Sequence, residues 1–273
     1  MALTIPGSLS PSKVSSFRDC ALAFRFSVID RLPEPSTIPQ AKGTAVHRAL
    51  ELLFGLEPAA RTVEAGVGLV APAVEEVLAT DEYRSLEVPD PAIFVAEAEE
   101  LVRRYFRLED PTTIHPVGQE LMLEAEMGGV LLRGIIDRLD EGPDGELIVT
   151  DYKTGRVPGE RFEQGKLGGV HFYAYLCERA LGRRPSRVQL LYLAEPVAIV
   201  AEPSDQSITG LTRRVGAIWT AVERACSRED FRPNPGRLCT WCAFKAYCPA
   251  FGGDPDSAPA AEAGPRPLVA TAG

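Results

Sequence analysis

Residues 130–154 read VLLRGIIDRLDEGPDGELIVTDYKT. An alternating apolar run, Leu131 to Leu139, carries Asp137 near its end. A turn rich in Gly, Pro and Asp follows from Glu141 to Gly145, and a second apolar run, Leu147 to Thr150, delivers Asp151, Tyr152 and Lys153. Two strand-like runs around a glycine-containing turn predict a β-hairpin. Such a hairpin brings Asp137 and Asp151 together at one end despite their separation in sequence. Lys153 lies two residues beyond Asp151, so on a strand the two side chains share a face. Two carboxylates and an ammonium converging on one spot suit Mg²⁺ or Mn²⁺ beside a scissile phosphate. Oxygen ligands hold hard cations, and the ammonium orients a water or neutralises phosphoryl charge. Either aspartate alone reads more readily as a strand end facing water. The joint pattern separates them from that reading, because Asp-x-Lys closes an apolar run where propensity favours Val, Ile or Thr.

GIID (134–137) and VTDYKTG (149–155) resemble the second and third motifs of the PD-(D/E)XK nuclease superfamily. The resemblance is to the branch of RecB-type exonuclease domains that includes Cas4-like proteins and the AddB C-terminal nuclease. It implies that Asp137, Asp151 and Lys153 form a catalytic metal site, with the carbonyl of Tyr152 completing the coordination sphere. Upstream, Gly43-x-x-x-His47 precedes an amphipathic helix expected over 43–56. A lone helical histidine is usually structural or exposed; the resemblance gives His47 a place at the metal site. It also implies an acid on the strand that enters the hairpin. Alternation begins at 116 and places Glu120, Met122 and Glu124 on one face, ahead of a Gly128-Gly129 turn. Glu120 is taken as the acid, with Glu124 and Glu126 as the alternatives. Downstream, the family's Gln-x-x-x-Tyr-Ala is half present, as Tyr173-Ala174, and Gly169 stands where the glutamine belongs. Gln164 and His171 are the residues available to replace it. A polar linker is expected up to residue 169, then a helix stopped by Gly182, a hairpin over 187–201 and a helix over 208–226 that turns Val215, Ile218, Trp219 and Val222 inward.

Cys239-x₂-Cys242-x₅-Cys248-Pro249 is the second signal. Closely spaced cysteines indicate a metal or cluster site, and a reducing cytoplasm disfavours disulfides. Three thiolates need a fourth ligand. Zinc would accept a histidine, but His47, His115 and His171 lie far upstream. Cys20 is the candidate, although by itself it reads as a buried thiol in the apolar helical stretch DCALAFRF. One early cysteine behind a serine-rich helix start and three late ones resemble the iron–sulfur branch of the same family. That resemblance implies a [4Fe–4S] cluster on Cys20, Cys239, Cys242 and Cys248, stapling the two ends of the fold. Cys177 and Cys226 read as small buried hydrophobes.

The 273 residues, 45% hydrophobic and 25% charged, allow a sizeable soluble core. No apolar run reaches a membrane span and the N-terminus lacks a signal-peptide core, so a cytoplasmic protein is expected. A net charge of -9 argues against a general nucleic-acid-coating protein. The charge is uneven, however: acids crowd residues 75–126 and arginines residues 179–237, which leaves room for a local basic surface.

The resemblance implies an α/β, restriction-endonuclease-like fold, a central mixed sheet flanked by helices. Residues 1–251 are expected to form a single domain, with a helical insertion at about 57–112 and an iron–sulfur segment at 236–251; residues 252–273, rich in Ala, Pro and Gly, read as a disordered tail. The activity implied is metal-dependent hydrolysis of DNA, single-stranded or at duplex ends, in repair or recombination, with a helicase or repair protein as partner. The alternative is a non-catalytic iron–sulfur DNA-binding accessory protein with a vestigial site.

Overall fold

A computed structural model describes residues 3–157 and 160–259, with side chains of 160–168 outside the description. The chain divides into two compact units: residues 36–215, and residues 1–35 together with 216–273.

The larger unit is built on a five-stranded mixed sheet in sequence order: β1 (Pro116–Met127), β2 (Val130–Glu141), β3 (Leu147–Lys153), β4 (Arg187–Tyr192) and β5 (Val197–Ala201). The β1–β2 hairpin closes on Gly128 and Gly129 with Met127 opposite Val130. Both glycines have positive φ, 56° and 85°, as a two-residue turn matched to strand twist requires. The β2–β3 hairpin turns at 142–146, where the Gly142 and Glu146 backbones are joined by a hydrogen bond of 2.8 Å. β3 and β4 are parallel and are connected by helix α7 (Glu160–Ala180). Parallel neighbours need such a crossover.

Ahead of the sheet come α1 (Pro11–Asp19) and α2 (Ala21–Phe24) of the smaller unit, then α3 (Ile38–Phe54), α4 (Val63–Gly68), α5 (Val70–Leu78) and α6 (Pro91–Tyr105). Helix α3 begins five residues before the expected Gly43. Thr37 and Gln40 form a reciprocal capping box, and Pro39 occupies the first turn, where its missing N–H costs nothing. The proline-rich stretch was therefore a helix start as well as a loop. Ala45, Val46, Ala49, Leu50, Leu53 and Phe54 of α3 are buried in a core that includes α5, α6, Tyr152, Leu191 and Leu193. Helix α7 packs over β1, β2 and β4. It starts ten residues before the expected helix, through Gly165, Gly168 and Gly169: propensity is a weak prior that packing overrides. Gly182, at φ 69°, follows its C-terminus as expected.

At the centre of the larger unit lies Arg138, 1% exposed. Its Nε donates to both oxygens of Asp140 (2.8 and 3.0 Å) and its Nη2 to both oxygens of Glu109 (3.0 and 2.9 Å) and to Thr150 Oγ1 (3.2 Å). Nη1 donates to the hydroxyls of Tyr152 (2.7 Å) and Tyr105 (3.3 Å), and the guanidinium lies 4.3 Å over the Phe54 ring. All five guanidinium N–H groups thus have acceptors, which is what makes a buried arginine tolerable.

The smaller unit pairs α1 and α2 with the end of α8 (Asp205–Arg228) and the segment that follows. Ser10 caps α1. Cys20 is not helical as expected; it is an extended residue (φ -161°, ψ 108°) that breaks the chain between α1 and α2. Leu22, Phe24, Phe26, Val222, Cys226, Phe231 and Phe244 form its core. In α8, Val215 and Val222 are buried while Ile218 and Trp219 are half-buried. Cys177 in the larger unit is likewise buried, so both spare cysteines pack as hydrophobes. Of the expected tail, residues 252–259 include a 3₁₀ turn at Pro255–Ser257, with Ala258 packed on this core; 260–273 lie outside the described residues.

Replacing Arg138 by Met should lower unfolding stability by about 3–5 kcal/mol in denaturant titrations, because Glu109 and Asp140 are then buried without their counter-charge.

Candidate active site

The sheet and two helices bring seven of the sequence-predicted residues to one place: His47, Glu120, Asp137, Asp151, Tyr152, Lys153 and Tyr173. Asp137 sits where regular β2–β3 pairing stops: Arg138 opposite Thr150 is the pair nearest the site. The next available N–H, that of Tyr152, donates to the Asp137 side chain, Oδ2, at 2.7 Å. Across the other edge of β2, Gln119 pairs with Arg138 and Leu121 with Ile136, so Glu120 falls opposite Asp137. Its φ is +44°, in the left-handed region that a non-glycine residue avoids and that recurs at functional sites. His47, on α3, points at the same carboxylate. Its Nδ1 is 3.5 Å from Asp137 Oδ2 and its Nε2 is 3.2 Å from the Tyr152 carbonyl oxygen. Donor atoms of His47, Glu120 and Asp137 all lie within 4.8 Å of one another.

Asp151 and Lys153 share the face that alternation requires, and their side chains form an ion pair. Asp151 is buried, and its Oδ2 is the oxygen that meets the Lys153 ammonium. Tyr173, on α7, faces Asp151, and burial together with the charges of Asp151 and Asp137 raises its phenol pKa. Two glycines permit the closeness of these parts. A Cβ at Gly134 would lie 2.8 Å from Leu176 Cδ1 and 3.2 Å from Tyr173 Cε1, so glycine lets α7 settle on β2. A Cβ at Gly43 would lie 3.0 Å from Thr154 Oγ1, which explains a glycine one turn before His47: α3 must approach the end of β3.

The charges are poorly reconciled without a cation. Burial and the Asp137 charge push the Glu120 carboxyl up to about 7. Burial likewise raises Asp151, against the pull of Lys153. Burial lowers the His47 imidazole, but the hydrogen bond and charge of Asp137 outweigh it and the net shift is upward. Crowded acids, an imidazole, a backbone carbonyl and a buried carboxylate paired with a lysine are a donor set that fits a hard divalent ion.

Of the three glutamates considered, Glu124 is instead paired with Arg133 on the neighbouring strand, and the Glu126 carbonyl accepts from the Tyr175 hydroxyl. His171 sits beside Arg214, where burial and that charge lower its pKa; the side chain of Gln164 lies outside the described residues. Sequence reasoning missed the Arg138 network that holds Tyr152 from behind. The available signal was Arg138 and Asp140, opposite charges two residues apart and so on one face of the strand.

In the smaller unit, Cys20, Cys239, Cys242 and Cys248 line one cavity with Leu22, Phe26 and Phe244. The Asn234 N–H donates to Cys20 Sγ (3.4 Å) and the Gly236 N–H to Cys239 Sγ (3.3 Å). Burial raises the Cys242 thiol, and the other three cysteines add to the shift, as neighbours do. No three of these sulfurs meet the 4.8 Å spacing that His47, Glu120 and Asp137 meet among the described residues.

The family model of the PD-(D/E)XK nuclease superfamily matches residues 8–249. The chain belongs to the PD-(D/E)XK nuclease superfamily. Two curated relatives, the Gene 69 proteins of Mycobacterium phages L5 and D29, are 31% identical over 135 residues and 32% identical over 136. The matches cover 48% of this chain in both cases, and the chain spans 44% and 48% of the length of these relatives. A crystal structure described as a "Putative exonuclease" from Eubacterium rectale shares the fold, with a TM-score of 0.57 at 11% identity over 86% of this chain and 87% of that one. The PD-(D/E)XK architecture, a mixed sheet flanked by helices, is thus the one observed. Among the described residues no helix is long and apolar enough to cross a membrane.

Because Glu120 is raised when folded, its contribution to stability is present below the ordinary glutamate range near 4.5 and is lost as pH rises through about 7. In EDTA, wild type should therefore lose about 1 kcal/mol relative to Glu120→Gln between those limits, a value discounted for this exposed residue. Thermal unfolding across that pH range checks it.

Proposed function

We propose that this chain is a Mg²⁺- or Mn²⁺-dependent deoxyribonuclease of the RecB-type exonuclease branch, acting on single-stranded DNA or duplex ends. The observation that carries the reading is the convergence of His47, Glu120 and Asp137 beside the buried Asp151–Lys153 pair. Glu120, Asp137, Asp151, His47 and the Tyr152 carbonyl would hold the cation. Bound there, it supplies positive charge to the phosphoryl oxygens and acidifies a water. Lys153 acts as a charged donor: burial lowers its pKa, but Asp151 raises it further, so the ammonium persists and orients the attacking water or the scissile phosphate. Tyr173 stays a neutral phenol and offers its O–H toward Asp151 and the reacting group. A role in repair or recombination beside a helicase or repair partner, in the cytoplasm, is proposed from the branch resemblance.

End-labelled single- and double-stranded DNA should be cleaved with Mg²⁺ or Mn²⁺ and not in EDTA. Asp151→Ala and Lys153→Ala should each lose at least about 10²–10³-fold in rate with circular dichroism unchanged. Undiminished cleavage by either variant refutes the assignment. Tight binding without cleavage by wild type would instead favour the non-catalytic accessory protein.

The four-cysteine cavity is proposed to hold a [4Fe–4S] cluster, with residues 236–251 as its segment of the nuclease. Zinc thiolates with 2.3 Å bonds set four sulfurs about 3.8 Å apart, a spacing that no three of these cysteines meet among the described residues, which favours the larger group. Backbone N–H donors at two sulfurs suit thiolate ligands. Anaerobically purified protein should contain about four irons and matching inorganic sulfide per chain, lost in Cys248→Ser. Stoichiometric zinc without sulfide would overturn this.

A further inference from the structure

The surface of the four-cysteine segment carries features that the chemistry above does not use. Trp241, between Cys239 and Cys242, is 76% exposed, and Leu238 and Phe251 of the same segment are 62% and 47% exposed. An indole this open is unusual, because large aromatic side chains are normally buried for most of their area. Its loop is held by its own hydrogen bonds: the Trp241 N–H to the Leu238 carbonyl at 3.1 Å, and the Gly236 N–H to Cys239 Sγ. The indole is therefore presented on a fixed turn.

The charge of the segment itself is opposite to that of the chain as a whole. Residues 231–251 contain Arg232, Arg237 and Lys245 and no acid, in a protein of net charge -9. Arg232 is paired with Asp230, whereas Arg237 and Lys245 are exposed and make no ion pair among the described residues. Lys245 also lies 4.7 Å over the Phe251 ring. Trp241, Leu238 and Arg237 border one cavity with Arg18, Asp19 and Glu34; the acid Asp19 is already paired with Arg18 at 2.9 Å.

A segment that exposes aromatic faces together with cations outside any ion pair matches a single nucleic-acid strand, whose bases stack and whose phosphates need counter-charge. We propose that the Cys239–Cys242 turn is a stacking platform for unpaired DNA bases, with Trp241 as the stacking face and Arg237 and Lys245 as phosphate contacts. This rests on the nuclease reading for its choice of nucleic acid, but it concerns binding alone.

The test uses the full chain, purified anaerobically, in EDTA so that no cleavage intervenes. Trp219→Phe leaves Trp241 as the sole indole, and oligo-dT should quench its fluorescence on binding. Trp241→Ala should weaken oligo-dT binding by about 10-fold, Trp241→Phe by much less, and Arg237→Ala should flatten the salt dependence by about one phosphate contact. Iron content and hydrolysis of the small substrate bis-p-nitrophenyl phosphate should stay at wild-type levels in Trp241→Ala. Binding by Trp241→Ala within two-fold of wild type, with iron intact, overturns the platform. So does binding without quenching. If wild type fails to bind oligo-dT at all, the platform falls while the cleavage assays still judge the nuclease chemistry separately.

Discussion

The hydrogen bond from the Tyr152 N–H to Asp137 Oδ2, 2.7 Å long, is the constraint from which the site follows. In a regular antiparallel pair that N–H would go to a backbone carbonyl. Here a side chain takes the ladder's place one step beyond the last pair, Arg138 with Thr150. Asp137 is thereby fixed at the hairpin's open end, and the Tyr152 carbonyl stands against His47. The same residue faces both ways, because its hydroxyl is held from behind by Arg138. A fully satisfied buried arginine and a crowded acidic site therefore share one tyrosine.

That arrangement concentrates like charge. Glu120, Asp137 and Asp151 converge with Lys153, His47 and Arg48 as compensating groups, and desolvation first and the Asp137 charge second keep the Glu120 proton in place to about 7. The backbone at Glu120 adds strain, with φ +44° in mid-strand. Buried acids and a strained strand are expensive in a fold that has a margin of about 5–15 kcal/mol. The Arg138 network and the capped, closely packed α3 are the rigid elements that hold such a site in place.

The smaller unit solves a different problem with the same economy of means. Two short helices and a segment with little regular structure make a small core, and four cysteines from both parts of the sequence face one cavity. Cys20 faces it from an extended residue that interrupts the helix, packed at the edge of this core and within reach of the Asn234 N–H.

Sequence alone determined the hairpin, its turns, the cysteine array and the approximate helices. These are local signals: alternation, glycines at positive φ, cap residues and short spacings, each readable within a dozen residues. The family was legible for the same reason, since its motifs are local and come in a fixed order. Boundaries failed where local signals conflicted, at Pro39 in the first turn of α3 and in the glycines of α7. Which of Glu120, Glu124 and Glu126 joins the site was decided only by tertiary structure, because the β1–β2 register sets one opposite Asp137 and another opposite Arg133. The burial of Arg138 and the meeting of Cys20 with Cys239, Cys242 and Cys248 were decided there too. Both depend on contacts between residues distant in the chain, and no local pattern encodes what a side chain meets once the chain has closed on itself.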